Sequence, residues 1–224
     1  MVGQDAEMQR LEADNREVVL MRSSLVALRR WAGIGHERST HTEKWLSTAG
    51  GLAGILGVAL ISQSQLGMTG SASIIASMGS SAVLLFAVPH GPLSQPWSVF
   101  GGHLVSAIVG VTCVKLIPFP VLAAAVAVAL AIGAMHYLRC IHPPGGATAL
   151  GAVLGGDVVH QLGYQFVFTP VMLNATTILL VALLFNAPFA WRRYPAAWSA
   201  GEHVNAPTRT AAEGATLMES TDGR

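Results

Sequence analysis

Charge is almost missing from the middle of this chain. Between Trp45 and Trp191 the only Lys, Arg, Asp or Glu residues are Lys115, Arg139 and Asp157, and all the others lie towards the two ends. Charged residues make up 11% of the whole, against about 25% in ordinary soluble domains. A soluble core so poor in charge would expose far more contiguous apolar surface than soluble proteins tolerate, which excludes a soluble enzyme. The net charge of +1 excludes a nucleic-acid binder driven by electrostatics. Only two cysteines are present, Cys113 and Cys140, at no zinc or redox spacing, so both read as small buried hydrophobes. With scattered histidines and one central acid, no metal, cofactor or enzyme activity is expected. The first 30 residues are rich in Arg, Glu and Asp and have no uninterrupted apolar run, so no cleavable signal peptide is expected there.

What fills the middle is apolar residue, divided by proline, glycine and short polar breaks into lengths able to cross about 30 Å of hydrocarbon. The spans fall at about 45–62, 71–88, 98–117, 120–138 and 166–190, with a short stretch at 144–156 (PGGATALGAVLGG). Thirteen helical residues reach only about 20 Å, so this stretch is expected to be broken or re-entrant, buried in protein or lining a wet cavity. The expected fold is an all-α, polytopic helical membrane protein with four to six membrane segments, two of them broken or short. Residues 1–44 form an amino-terminal cytoplasmic region, with an amphipathic helix over 5–31 whose stripe runs through Leu11, Val18, Leu25 and Leu28. Residues 45–191 form the membrane domain, and 192–224 a cytoplasmic, disordered tail.

Seven of the 13 Lys and Arg precede Trp45, and Arg192–Arg193 follow the last span. Basic residues stay inside, so both termini are expected in the cytoplasm, in a bacterial inner membrane, with four or six complete crossings. An offset of 67 lays GSSAV (79–83) on GATAL (146–150) and PWSVFGGHLVSA (96–107) on GYQFVFTPVMLN (163–174). Three segments per half, about 45–117 and 120–190, make this an inverted repeat.

The two matched elements carry the candidate site. A helix starting near Gly145, Gly146 and Ala147, and another near Gly79, Ser80 and Ser81, would each turn unpaired N–H groups and a positive dipole end towards an anion. Pro143 and Pro144 suit the first turn of such a helix, and Ser80, Ser81 and Thr148 add hydroxyls. His142 either lines the ion path or bonds a carbonyl and fixes the bend. Thr148 has its own alternative in a bond back to a helix carbonyl. Asn174, costly in lipid, faces protein or the cavity. His103 and His136 read as packing or interfacial histidines, His90 as a turn residue, and Asp157 as a loop residue. The glycines 50, 51, 54 and 57 mark close packing against another helix or a second copy of the chain.

The blocks MGSSAVLLFAVPHGPLSQPWSVFGGHLVSAIVG (78–110), HPPGGATAL (142–150) and FTPVMLN (168–174) make the chain resemble the HPP family of integral membrane proteins, called after a His-Pro-Pro that is here His142-Pro143-Pro144. The resemblance implies a multispanning domain usually described as having four transmembrane segments. Plant plastid and cyanobacterial members are associated with nitrite transport, and others carry CBS nucleotide-sensing domains, which the roughly 30 residues after Tyr194 have no room for. The expected function is therefore a transporter or channel for a small inorganic anion, nitrite first. A non-transporting membrane sensor or scaffold is the alternative. The expected partners are that anion and the lipid bilayer.

Overall fold

The computed structural model describes residues 26–28, 30–33 and 39–198. Most of the helix expected over 5–31, and the tail after residue 198, lie outside the described residues; Val26–Leu28 and Arg30–Trp31 are helical. Two compact units divide at His41–Thr42, and the second holds the membrane domain. Among the described residues there is no strand.

Helix α1 (His41–Ala87) has 47 residues and would reach about 70 Å if straight, more than twice the hydrocarbon thickness. It is not straight. A methyl added at Gly50 or Gly54 would meet the Phe86 ring at 2.4 and 2.7 Å, so residues more than thirty positions apart touch. The helical chain therefore doubles back between Gly54 and Phe86, and its two arms, which include His41–Ser64 and Ala72–Ala87, run antiparallel. Of the four glycines expected to pack closely, Gly50, Gly54 and Gly57 do so inside the chain, whereas nothing lies within 4 Å of a methyl added at Gly51. Gly50 and Gly54 receive Phe86, and Gly57 faces Thr177 and Val181 of the last helix.

Helices α2 (Pro96–Leu116), α3 (Pro120–Tyr137), α4 (Pro143–Leu154) and α5 (Gly156–Leu162) follow. A wide-turn segment, Val167–Met172, then leads into α6 (Leu173–Asn186). Proline opens α2, α3 and α4, where a missing N–H costs nothing. Gly156 divides α4 from α5 with φ +75°, a conformation only glycine adopts freely. Within the wide-turn segment Thr169 leaves helical geometry (φ −132°, ψ 110°) just before Pro170, as expected of a residue that precedes proline. Among the described residues four segments are long and apolar enough to cross a membrane: His41–Ser64, Pro96–Leu116, Pro120–Tyr137 and Val167–Asn186. Ala72–Ala87 is a shorter apolar helix.

Contacts order these pieces between two rims. Ala87–Gln95 joins the second arm of α1 to α2 at the near rim, where the Trp97 indole donates to the Leu138 carbonyl beyond α3 (3.1 Å). At the far rim Thr112 bonds Tyr164 (3.0 Å), and Lys115 lies over the same ring at 5.6 Å. Helices α2 and α4 run parallel, because Gly102, Ser106 and Gly110, four residues apart, meet His142, Gly145 and Ala149–Ala152 in the same order. Helix α3 thus carries the chain back to the near rim, and residues 138–142 lead inward to the start of α4. From there α4 and α5 together descend to the far one, and the last segment returns. Long and short elements alternate in the same order in both halves: long, short, long.

Packing is inside out relative to a soluble protein. Leu52, Leu56, Leu60, Leu122, Leu130, Ile132, Leu180 and Leu184 are exposed, while Ser62, Ser77, Ser81, Ser106, His103, His142 and Asn174 are buried. Helix α3 approaches α2 and α4 through Ala123, Ala124, Ala127 and Ala131, small residues on one face that allow tight contact without hydrophobic driving force. Trp45, Trp97, Tyr137 and Trp191 are exposed around the near rim, where amphipathic rings suit the lipid headgroups.

Candidate buried histidine site

The stretch HPPGG places the site. Proline disfavours helix at the residue before it, and His142 is accordingly extended (φ −142°, ψ 103°), capping α4 with its imidazole turned inward. Gly145 is required because a Cβ there would lie 2.7 Å from Ser106 Oγ and 2.9 Å from the Gly102 carbonyl. Gly102 is required in turn, since its Cβ would meet that of His142 at 2.6 Å. The paired glycines seat a broken helix start against an intact helix, and the imidazole of His142 comes to rest beside that of His103.

Five side chains meet there. Ser81 Oγ lies 2.9 Å from His103 Nε2 and 2.9 Å from His142 Nε2. His103 Nδ1 is 2.7 Å from Thr148 Oγ1, which is 2.7 Å from Ser77 Oγ. His142 Nδ1 donates to the Leu93 carbonyl (2.8 Å), and Ser77 Oγ is 2.9 Å from the Pro144 carbonyl. The imidazole centroids stand 5.0 Å apart at 65°. Both histidines and Ser81 are fully buried. His103 lies seven residues, about 10 Å, below the start of α2.

Of the residues expected to form the site, the structure brings together Ser81, His142 and Thr148. His142 bonds a carbonyl, that of Leu93, as one of its two alternatives expected, and its other ring nitrogen meets Ser81 in the cluster. Thr148 also has its helix carbonyl, Pro144, within 3.4 Å. Gly79, Ser80 and Ser81 do not begin a helix. They lie inside the second arm of α1, within the continuous helix His41–Ala87, because no proline or cap interrupts SASIIASMGSS. Ser80 is exposed and turns its hydroxyl back to Ala76 (3.3 Å), and Gly79 is half-buried. At the other start, Pro143 and Pro144 have no N–H and Gly145 gives its own to the His142 carbonyl (2.8 Å). Backbone amides therefore do not converge on an anion. Gly146 and Ala147 are half-buried, and Ala147 lines an open groove of about 410 Å³ with Ser80, Val83, Leu84, Pro143 and Pro144. Asn174 lies elsewhere and donates to Ser62 Oγ (2.6 Å), its Oδ1 buried without a partner.

Two members were not among the expected site residues, His103 and Ser77. Ser77 and Ser81, four apart on one helical face, were the available signal. Ser81 and Thr148 are the residues that the 67-residue offset pairs, and they occupy the two ring nitrogens of His103. Among the described residues no three His, Cys, Asp or Glu come close enough to hold a metal ion.

A second polar assembly closes the near rim. Arg192, only 1% exposed, pairs with Glu43 and donates to Ser47, Asn186 Oδ1 and the Phe86 carbonyl. It thereby ties both arms of α1 to the end of α6. Burial pulls this guanidinium below its usual value, and Glu43 opposes the shift. Tyr194 donates to the Ser94 carbonyl (2.7 Å), and burial pushes its phenol up, so it remains a neutral donor. Ser94 Oγ in turn reaches the Leu84 and Val88 carbonyls (3.0 and 2.7 Å), fixing the turn whose Leu93 carbonyl holds His142.

The profile of the family described as "HPP, transmembrane region" matches residues 36–195. A transmembrane protein of Dictyostelium discoideum is 39% identical over 158 residues, 69% of this chain and 50% of the relative. A second from the same organism is 36% identical over 182 residues, 76% of this chain and 62% of the relative. The chain thus spans about half to three-fifths of the length of these relatives. No solved structure matches it. The match covers both halves of the membrane domain and the His142-Pro143-Pro144 knuckle, and the chain belongs to the HPP family of membrane proteins.

Proposed function

We propose that the chain transports a small inorganic anion across the membrane, with the imidazole and hydroxyl donors of the buried cluster as its recognition groups. The observation that carries this reading is the cluster itself. Two histidines and three hydroxyls, converging from three helices, are costly inside a membrane domain and are functional by default there. The groove beside Pro143–Pro144 supports it by bringing open volume to the cap of α4. Nitrite is the first solute to test, on the family resemblance alone. Donors without fixed charge would bind it weakly, which suits an ion that must also leave.

The same reading has six crossings, related as an inverted repeat, with the near rim in the cytoplasm. That rim carries Lys44, Arg139, Arg192 and Arg193, and the far rim Lys115. Flux into liposomes across a panel of nitrite, nitrate, formate, bicarbonate and chloride tests the proposal. His142→Ala and Thr148→Val are expected to lower flux at least tenfold at unchanged protein amount and oligomer size. A scaffold passes no anion, and the closed bonding of the cluster favours that alternative if every solute stays outside.

A further inference from the structure

The hydrogen positions in the cluster follow from counting. Nδ1 of His142 faces a carbonyl and must carry a hydrogen. In a neutral ring Nε2 is then an acceptor, so Ser81 donates to it. Having spent its one hydrogen, Ser81 must accept from His103 Nε2. The Nδ1 of a neutral His103 is left as an acceptor, filled by Thr148, and Thr148 accepts from Ser77. Every bond points one way, from Ser77 towards His142.

A second arrangement with one more proton is equally satisfied on the same atoms. A proton given to Ser77 displaces the Ser77 hydrogen onto Thr148. The Thr148 hydrogen passes to His103 Nδ1, the Nε2 hydrogen of His103 to Ser81, and the Ser81 hydrogen to His142 Nε2. His142 becomes the cation and His103 stays neutral with its hydrogen moved to Nδ1. The four interior bonds reverse, and Ser77 turns its hydroxyl to the Pro144 carbonyl at 2.9 Å. No heavy atom has to move; Ser77, Thr148, His103 and Ser81 each give up one proton as they gain one, and His142 keeps the net proton.

We propose that Ser77, Thr148, His103, Ser81 and His142 form a proton relay that loads one proton onto His142. The titratable groups around the pair are the two imidazoles themselves and the Cys140 thiol, which packs at Gly101. The second arm of α1 contributes Ser77 and Ser81, α4 contributes Thr148, and α3 the Met135 sulfur beside Ser106. Release from Nδ1 requires the Leu93 carbonyl to part from it, so the turn at Pro92–Ser94 is the exit gate. Joined to the transport reading, on which this last step rests, the relay carries a proton with the anion and supplies the positive charge that the site otherwise lacks.

Two measurements on the full chain in lipid test it. In protein labelled with 15N-histidine, solid-state NMR at neutral pH is expected to find His142 as the Nδ1–H and His103 as the Nε2–H tautomer. On acidification His142 should become cationic as His103 switches to Nδ1–H. Protonation of His142 with His103 unchanged overturns the relay. Proteoliposomes with an enclosed pH dye, given nitrite, should show proton and nitrite entering together, and His103→Gln should reduce proton entry at least tenfold. Nitrite entry without protons overturns the coupling and leaves anion transport standing. Proton entry without any anion flux overturns anion transport and leaves the relay, and the entry of neither overturns both.

Discussion

At the residue scale, burial decides which polar groups matter. Arg192 is almost wholly enclosed and bonded to four side chains and carbonyls in one fold, whereas Arg139 is exposed. Removing one partner of a buried pair leaves an uncompensated charge and costs about 3–5 kcal/mol. Glu43→Gln leaves the enclosed Arg192 uncompensated and should lower the melting temperature in detergent by an amount in this range, whereas the carboxylate left by Arg192→Met is partly exposed and can be hydrated. Tyr194→Phe leaves the Ser94 carbonyl without its donor, a loss of about 1–3 kcal/mol, read in the same melting assay. These residues also mark where the sequence was silent. Arg192 reads as an ordinary basic residue after a span, and nothing near it announces that Glu43, Ser47 and Phe86 will surround it. The hydroxyl partners of His103 were out of sight for a related reason. A histidine beside Gly101–Gly102 in an apolar helix suits packing, and its two hydroxyl partners lie 22 and 45 positions away.

At the scale of elements, the sequence was far more legible. Hydropathy and proline placed each membrane segment within a few residues, because lipid requires uninterrupted apolar helix and proline opens helices cleanly. The start read at Gly79–Ser81 failed because small and hydroxyl residues are tolerated inside a membrane helix as readily as at its end. The division of α4 from α5 at Gly155–Gly156 carried its own glycine signal. Glycines fall into two kinds here, and mutation should separate them. A Cβ at Gly110 would lie 2.7 Å from that of Ala152 and 2.8 Å from the Ala149 carbonyl, so Gly110→Ala should separate α2 from α4. Such overpacking costs about 1–3 kcal/mol. At Gly133, within α3, nothing lies within 4 Å. Gly133→Ala should be neutral or should stabilise by about 0.5–1 kcal/mol through helix propensity. Thermal unfolding of the two variants side by side checks the contrast.

For the whole molecule, two rims and an apolar interior holding one buried polar cluster account for most of the arrangement. Among the described residues the chain enters at the near rim at His41 and is back there at Arg192. Single cysteines at Ser39 and at Trp198 should therefore be labelled by a membrane-impermeant reagent from the same side, and one at Phe119 from the other. Cys113 and Cys140 are buried and should contribute little background. Labelling of Ser39 and Trp198 positions from opposite sides would overturn the proposed six-crossing topology. Composition already indicated such a layout through its basic ends. Which contacts join the passes was not readable, since apolar faces are nearly interchangeable until they are packed.

The strap from Asn186 to Ala196 links the end of the chain to its interior. Tyr194 grips Ser94, its neighbour Leu93 grips His142, and Ala196 holds Gln95 through its amide (3.0 Å). Only a few bonds separate the strap from the innermost imidazole. A purification tag or fluorescent fusion attached just behind Trp198 is therefore not a neutral handle: tugging on it strains the mooring of that ring, and kinetic work should begin with an amino-terminal label.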